Sequence, residues 1–267
     1  MRINNLILEN TEGFGGEKPP SGLCNSVFNK KTIILLNKSP FFQNKYVTLP
    51  PETHNYALDM KVLLVNGSQH KTGCTHTALM EVAKELEKAG IETEEFWCGN
   101  KAIMGCIGCG KCAQSFRCWN SEDTVNAFLE KVSECDGFVF GTPVHFAGTS
   151  GFIKPFMDRA FCSKASIFYN KPAAAIVSCR RGGAQGAFED MNRYFNFACM
   201  PVVSSNYWNE VHGNTPAEVE QDLEGMQTMR QLGRNMAWML KCIEAGKAAG
   251  IAYPEQEAKI KTNFIRN

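Results

Sequence analysis

Residues 60–86 read MKVLLVNGSQHKTGCTHTALMEVAKEL, and this stretch decides the fold. Val62 to Val65 form an unbroken apolar run, which suits a strand covered on both faces. Turn formers from Asn66 to Gly73 interrupt it, and a helix is expected from about Thr75, with Leu79, Val82 and Leu86 at helical spacing. A strand that feeds a helix through a Gly- and Ser-containing loop leaves the first N–H groups of the helix without partners. Those groups and the helix dipole attract an anion, so Ser68, His70, Lys71, Gly73, Cys74 and Thr75 form a candidate phosphate loop. Ser68 and Thr75 add hydroxyls, and Lys71 or His70 adds charge. There is no G-K-[ST] as in nucleotide triphosphatases and no G-x-G-x-x-G, which leaves a phosphomonoester as the fitting ligand. Turn chemistry alone also gathers Gly and Ser at such junctions, so the loop needs company to count as a site.

The same alternation continues downstream. Phe138 to Phe140, Ala173 to Val177 and Pro201 to Val203 read as further buried strands, and Ile91 to Trp97, more polar, as an edge strand. Val125, Phe128, Leu129 and Val132 follow helical spacing. Thr215-Pro216-Ala217-Glu218 is a capping box opening the last helix, whose apolar stripe runs Val219, Leu223, Met226, Leu232, Met236, Met239 and Ile243 and reads as core. Five strands with intervening helices predict a doubly wound α/β fold with a parallel sheet of flavodoxin-like order 2-1-3-4-5 and a cysteine-rich loop after strand 2. Ligands in such sheets lie at the carboxyl ends of the strands. Two more loops leave those ends. One carries Pro143, Val144, His145, Phe146 and Ala147, an apolar wall for a flat ring. The other carries Cys179, Arg180, Arg181, Gly182 and Gly183, where glycine permits close approach and arginine can stabilise an anionic ring or guide a phosphorylated reductant.

The 12 cysteines of the chain include Cys106, Cys109, Cys112 and Cys118, spaced C-x2-C-x2-C-x5-C. Such a run puts three sulfurs on one tight loop with a fourth to close a cage, as iron-sulfur sites do. Zinc is the competing metal, but its structural sites use two separated knuckles, and four unliganded thiols are the plain alternative. The other cysteines, Cys162 and Cys199 among them, read as buried reduced thiols, which fits a reducing cytoplasm rather than a secreted disulfide scaffold. Net charge is +1, from 28 basic and 27 acidic residues, which provides no field for nucleic acid or an anionic membrane; small molecules are the expected partners. No apolar run approaches a bilayer span, and Met1 to Glu12 lack the form of a signal peptide. Residues 1–59, with paired Gly and Pro and many Asn and Lys, are expected to be disordered or a mis-called extension before Met60, with one short strand around Ile33 to Leu36, and residues 60–267 to be the folded domain.

Taken together, Val65-Asn66-Gly67-Ser68 with Gly73 and Thr75, Gly141-Thr142-Pro143-Val144, Lys154 to Arg159 and Cys179 to Gly183 resemble the NADPH-dependent FMN reductase family over Met60 to about Asn267. The cysteine run resembles that of its iron-sulfur flavoprotein branch. The resemblance implies FMN with its phosphate on the Ser68 to Thr75 loop, its ring against Pro143 to Ala147, and further contacts from Cys179 to Gly183. It also implies a [4Fe-4S] cluster on the four-cysteine run, NAD(P)H as transient reductant or a ferredoxin-type electron donor, and a homodimer or homotetramer. A small acceptor such as a quinone, flavin, nitro or azo compound would take the electrons; a flavodoxin-like carrier without turnover is the rival. Similar proteins often carry arginine, asparagine and an aromatic where this chain has His70, Cys74 and His145. Near a flavin, His145 is the candidate proton or hydrogen-bond donor.

Overall fold

A computed structural model describes residues 60–260, 262 and 264. The readings made for residues 1–59 lie outside the described residues. The chain opens with β1 (Lys61–Asn66), α1 (Cys74–Lys88) and β2 (Glu92–Trp97), then α2 (Cys112–Ser115), α3 (Val125–Val132), β3 (Gly137–His145), the short β4 (Gly148–Thr149) and α4 (Ile153–Lys164). It closes with β5 (Ala173–Cys179), α5 (Ala184–Phe197), β6 (Glu210–His212), α6 (Pro216–Gln221) and α7 (Leu223–Ala248). The strands pair in parallel in the order β2-β1-β3-β5-β6, and β4 folds back antiparallel on β3. With that two-residue strand set aside, the order is the expected 2-1-3-4-5, and β2 lies at an edge.

Both faces of the sheet are covered, and β1 shows why its sequence is continuous rather than alternating. Leu63 and Val65 join one core with Phe128, Phe140, Phe156 and Phe195, while Val62 and Leu64 join the other with Leu79, Val82, Leu232 and Met236. Side chains alternate between faces, yet neither face is wet. On the first side, Phe96, Phe128, Phe140 and Phe156 meet ring to ring, with Phe128 and Phe156 centroids 5.0 Å apart. On the second, α7 crosses α1 so closely that a Cβ on Gly233 would stand 2.8 Å from the Val82 carbonyl oxygen. Two ion pairs flank this crossing, Arg230 to Glu81 and Arg234 to Glu85, both at 2.7 Å.

Two readings of the sequence are corrected. Pro201 to Val203 is not a strand but an isolated bridge between Val202 and Ala173, and the outer strand is Glu210–His212. Pro201 has no N–H to give a ladder, and only two backbone bonds form there, at 2.9 and 2.8 Å. The final apolar stripe spans two helices rather than one. Asp222 leaves helical geometry at ψ 83°, caps α7 through Gly225 N–H at 2.9 Å, and accepts the His212 N–H at 2.7 Å. Leu223 consequently points to solvent, while Val219, Met226, Leu232 and Met236 remain buried. Among the described residues, no helix is long and apolar enough to cross a membrane.

Candidate functional site

The carboxyl ends of the strands open into a cavity of about 740 Å³, within the range of about 300–1,000 Å³ that small-molecule sites occupy. Its floor is the loop between β1 and α1. Ser68, His70, Lys71, Gly73, Cys74 and Thr75 all line it, joined by Pro143 and Val144 from the end of β3 and by Cys179 and Arg180 from the end of β5. His145, Phe146, Ala147, Arg181, Gly182 and Gly183 do not. His145 to Ala147 form the exposed tip of the β3–β4 hairpin, one step beyond Val144, with Phe146 and Ala147 both left-handed at φ 51° and 59°. That hairpin leans on α5, where a Cβ on Gly186 would stand 2.2 Å from the Ala147 carbonyl oxygen.

The floor is held from below by one side chain. Asn66 is wholly buried; its Oδ1 accepts the Ser68 N–H at 3.0 Å, and its Nδ2 donates to the Lys71 carbonyl at 3.0 Å and to Glu95 Oε1 at 2.8 Å. Glu95 also bonds His76 Nδ1 at 2.9 Å. The loop is thus pinned at both ends, and Trp97 adds a third tie by donating Nε1–H to the Ser68 carbonyl at 2.8 Å. Helix α1 begins at Gly73 without a side-chain cap and without an acidic residue in its first turn, so its leading N–H groups face the cavity uncompensated. Thr75 lies under this turn, bonded to Ser178 at 2.8 Å. This is a cradle for a phosphate, and the apolar Pro143–Val144 edge beside it suits a flat ring, so the residues present fit FMN. Burial pushes the thiols of Cys74 and Cys179 above their usual range, which keeps both protonated near neutral pH.

Parts of the wall were not read from the sequence. Trp97 and Asn100 at the end of β2, Ser178, and Gly213 to Pro216 after β6 complete the cavity. The capping box at Thr215 was visible, but only the topology shows that its turn borders the ligand edge.

The cysteine run sits on the loop after β2, shaped by Gly108 and Gly110 at φ 64° and 69°. Cys106, Cys109, Cys112 and Cys118 line one cavity of about 220 Å³ together with Cys162 and Arg159 of α4. Cys162, which the sequence reads as buried, is exposed and lines this site, Cys199 and Cys242 are exposed elsewhere and Cys74 is half-buried, whereas Cys98, Cys135 and Cys179 are buried as expected. Cys112 Sγ lies 3.7 Å from the Cys162 carbonyl oxygen. Among the described residues, no three His, Cys, Asp or Glu side chains converge as ligands of one ion do at about 2.3 Å. The four cysteines line one space, and thiolates are the ligands that an iron-sulfur cluster takes, so the chemistry of this donor set is compatible with such a cluster.

Asn126 fixes Cys118 by accepting its N–H and donating to its carbonyl, each at 2.9 Å. Arg159 is 1 % exposed and ion-paired with Asp123. Burial works against its charge, but hydrogen bonds to Asp123 and Cys118 outweigh burial and raise its pKa. Asp158, its sequence neighbour, faces the other way and binds Lys154 at 3.0 Å and Tyr194.

A parallel α/β sheet with an anion cradle and an apolar wall at its carboxyl edge defines a flavodoxin-like flavoprotein. Residues 60–215 match the NADPH-dependent FMN reductase family, and the chain belongs to it. It is 32 % identical over 193 residues to the iron-sulfur flavoprotein MJ1083 of Methanocaldococcus jannaschii, covering 69 % of this chain and 100 % of that protein. It is 33 % identical over 148 residues to an iron-sulfur flavoprotein of Archaeoglobus fulgidus, covering 54 % of this chain and 72 % of the relative. Among solved structures, a flavone reductase superposes with a TM-score of 0.55 at 21 % identity, covering 69 % of this chain and 64 % of that one. RosB with its bound intermediate superposes at 0.54 and 17 %, covering 77 % and 92 %. The protein is an NAD(P)H-dependent FMN oxidoreductase of the iron-sulfur flavoprotein branch.

Proposed function

We propose that this oxidoreductase takes electrons from NAD(P)H, or from a ferredoxin-type donor, and delivers them to a small acceptor such as a quinone, flavin, nitro or azo compound, with a [4Fe-4S] cluster on Cys106, Cys109, Cys112 and Cys118 as relay. The observation that carries the reading is the convergence of three strand-end loops on one cavity of about 740 Å³, large enough for a flavin with a second flat molecule beside it. Bound there, FMN supplies hydride and single-electron chemistry. The chain binds and orients it: the open turn of α1 with Ser68 and Thr75 holds the phosphate, and Pro143 and Val144 exclude water from one edge of the ring. Arg180, exposed at the rim, supplies positive charge toward an anionic ring or a phosphorylated reductant. His145, exposed beside Val144, is the proposed proton or hydrogen-bond donor to the flavin. Arg181 and Gly182, exposed beyond Arg180, and Gly183, under the hairpin, would shape its approach.

The protein is further proposed to work in a reducing cytoplasm as a homodimer or homotetramer. Anaerobic mixing with NADH and NADPH tests the activity. Bleaching of the flavin by either nucleotide, followed by reoxidation with a quinone, is the expected result. A flavin that ignores both nucleotides and responds only to a reduced carrier protein would make the chain an electron carrier instead.

A further inference from the structure

We propose that Arg159 is a positioning residue of the cysteine site, whose Nε–H is aimed at the Cys118 sulfur to raise the reduction potential of the bound cluster. This rests on the cluster reading above. Arg159 is among the largest fully buried side chains of the protein, and its guanidinium is fixed by partners on three sides. Nη1 donates to the Met104 carbonyl at 3.3 Å and to the Asp123 carboxylate, and Nη2 donates to the Asn120 carbonyl at 2.9 Å. The Nε–H, coplanar with these bonds, has no freedom left, and it meets Cys118 Sγ at 3.1 Å.

A structural ion pair alone does not require this arrangement. A neutral thiol is a weak acceptor, so a buried charged donor placed against one is poorly compensated. A metal-bound thiolate is a strong acceptor, and the contact then becomes a charge-assisted bond. Asp123 balances the guanidinium charge, but from Nη1, so the local donor at sulfur is the Nε–H. A cluster gains negative charge on reduction, and a donor on its ligand sulfur stabilises the reduced state more than the oxidised one. Cys118 is itself rigid, tied to Asn126 through both its backbone groups, so the donor and the sulfur keep their relation.

The test uses the full-length protein, purified anaerobically, with two variants. Arg159→Lys keeps the pair with Asp123 but has no planar Nε–H, and the double variant Arg159→Met with Asp123→Asn removes both charges together. Iron content, circular dichroism and the cluster midpoint potential, followed by electron paramagnetic resonance, are read for each. Both variants are expected to keep iron and fold and to make the cluster tenfold or more harder to reduce, a fall of about 59 mV for a one-electron couple. The FMN potential should stay in place. Unmoved cluster potentials overturn the proposal, as do loss of iron or of fold in both variants, which would leave Arg159 a purely structural residue. Wild-type protein without iron would sink the cluster reading itself, a distinct outcome.

Discussion

Replacing Asn66 with alanine should loosen the phosphate loop without touching the flavin ring. The side chain makes three hydrogen bonds from a fully buried position, to Ser68 N–H, the Lys71 carbonyl and Glu95. Each neutral bond is worth about 1 kcal/mol net and the bond to the carboxylate about 2 kcal/mol, although water reaches Lys71 and recovers part of this. Stability should therefore fall by about 3 kcal/mol. The loss of geometry is concentrated where Ser68 and the start of α1 meet a phosphate, so FMN affinity should drop about tenfold, or about 1.4 kcal/mol, while riboflavin affinity holds. Quenching of flavin fluorescence, titrated with FMN and riboflavin in parallel below the melting point of the variant, reads this directly. Equal weakening of both ligands would refute the reasoning, because it would mean that Asn66 supports the cavity in general; unchanged FMN affinity would refute the placement of the phosphate.

Other consequences are open to simpler measurement. Phe128→Ala removes the ring at the centre of the aromatic cluster and should cost about 3–5 kcal/mol in chemical denaturation. Gly186→Ala drives a methyl group into the Ala147 carbonyl and should cost about 1–3 kcal/mol, with the β3–β4 hairpin shifted in hydrogen exchange. Hydrogen bonds from Lys88 and then Arg234 hold Glu85 below the ordinary glutamate range, so the stability it lends is present above pH 4.5 and lost as pH falls through its folded value. Glu85→Gln should flatten the acid side of a melting-temperature profile, and an unchanged profile would remove Glu85 from the account. Cys162→Ser should leave iron content intact, whereas Cys106→Ser should lower it.

The parts of the fold that were legible are those where burial leaves a mark on adjacent residues. Val62 to Val65 and the spacing of Leu79, Val82 and Leu86 announced β1 and α1 because both sheet faces and one helix face must be apolar. The outer strand was misplaced because Pro201 to Val203 is more apolar than Glu210–His212, although proline denies it a ladder. The apolar neighbours of Cys162 suggest core, and Met157, Ala160 and Phe161 are indeed buried, but the helix turns Cys162 outward. That the loop after β1 lines one cavity and the cysteine run another was readable because each is local. Trp97, Gly213 to Pro216 and Arg159 were not, since the sheet order alone brings them to their sites, and Arg159 lies 41 residues from the sulfur that it touches.

The central claim is that FMN sits at the carboxyl edge of the sheet with its phosphate on the first loop. A crystal structure of the FMN-loaded protein tests it most directly. The account predicts the phosphate within hydrogen-bonding distance of the backbone N–H groups between Ser68 and Thr75 and the ring against Pro143 and Val144. A phosphate held anywhere else, with that loop vacant, would contradict it.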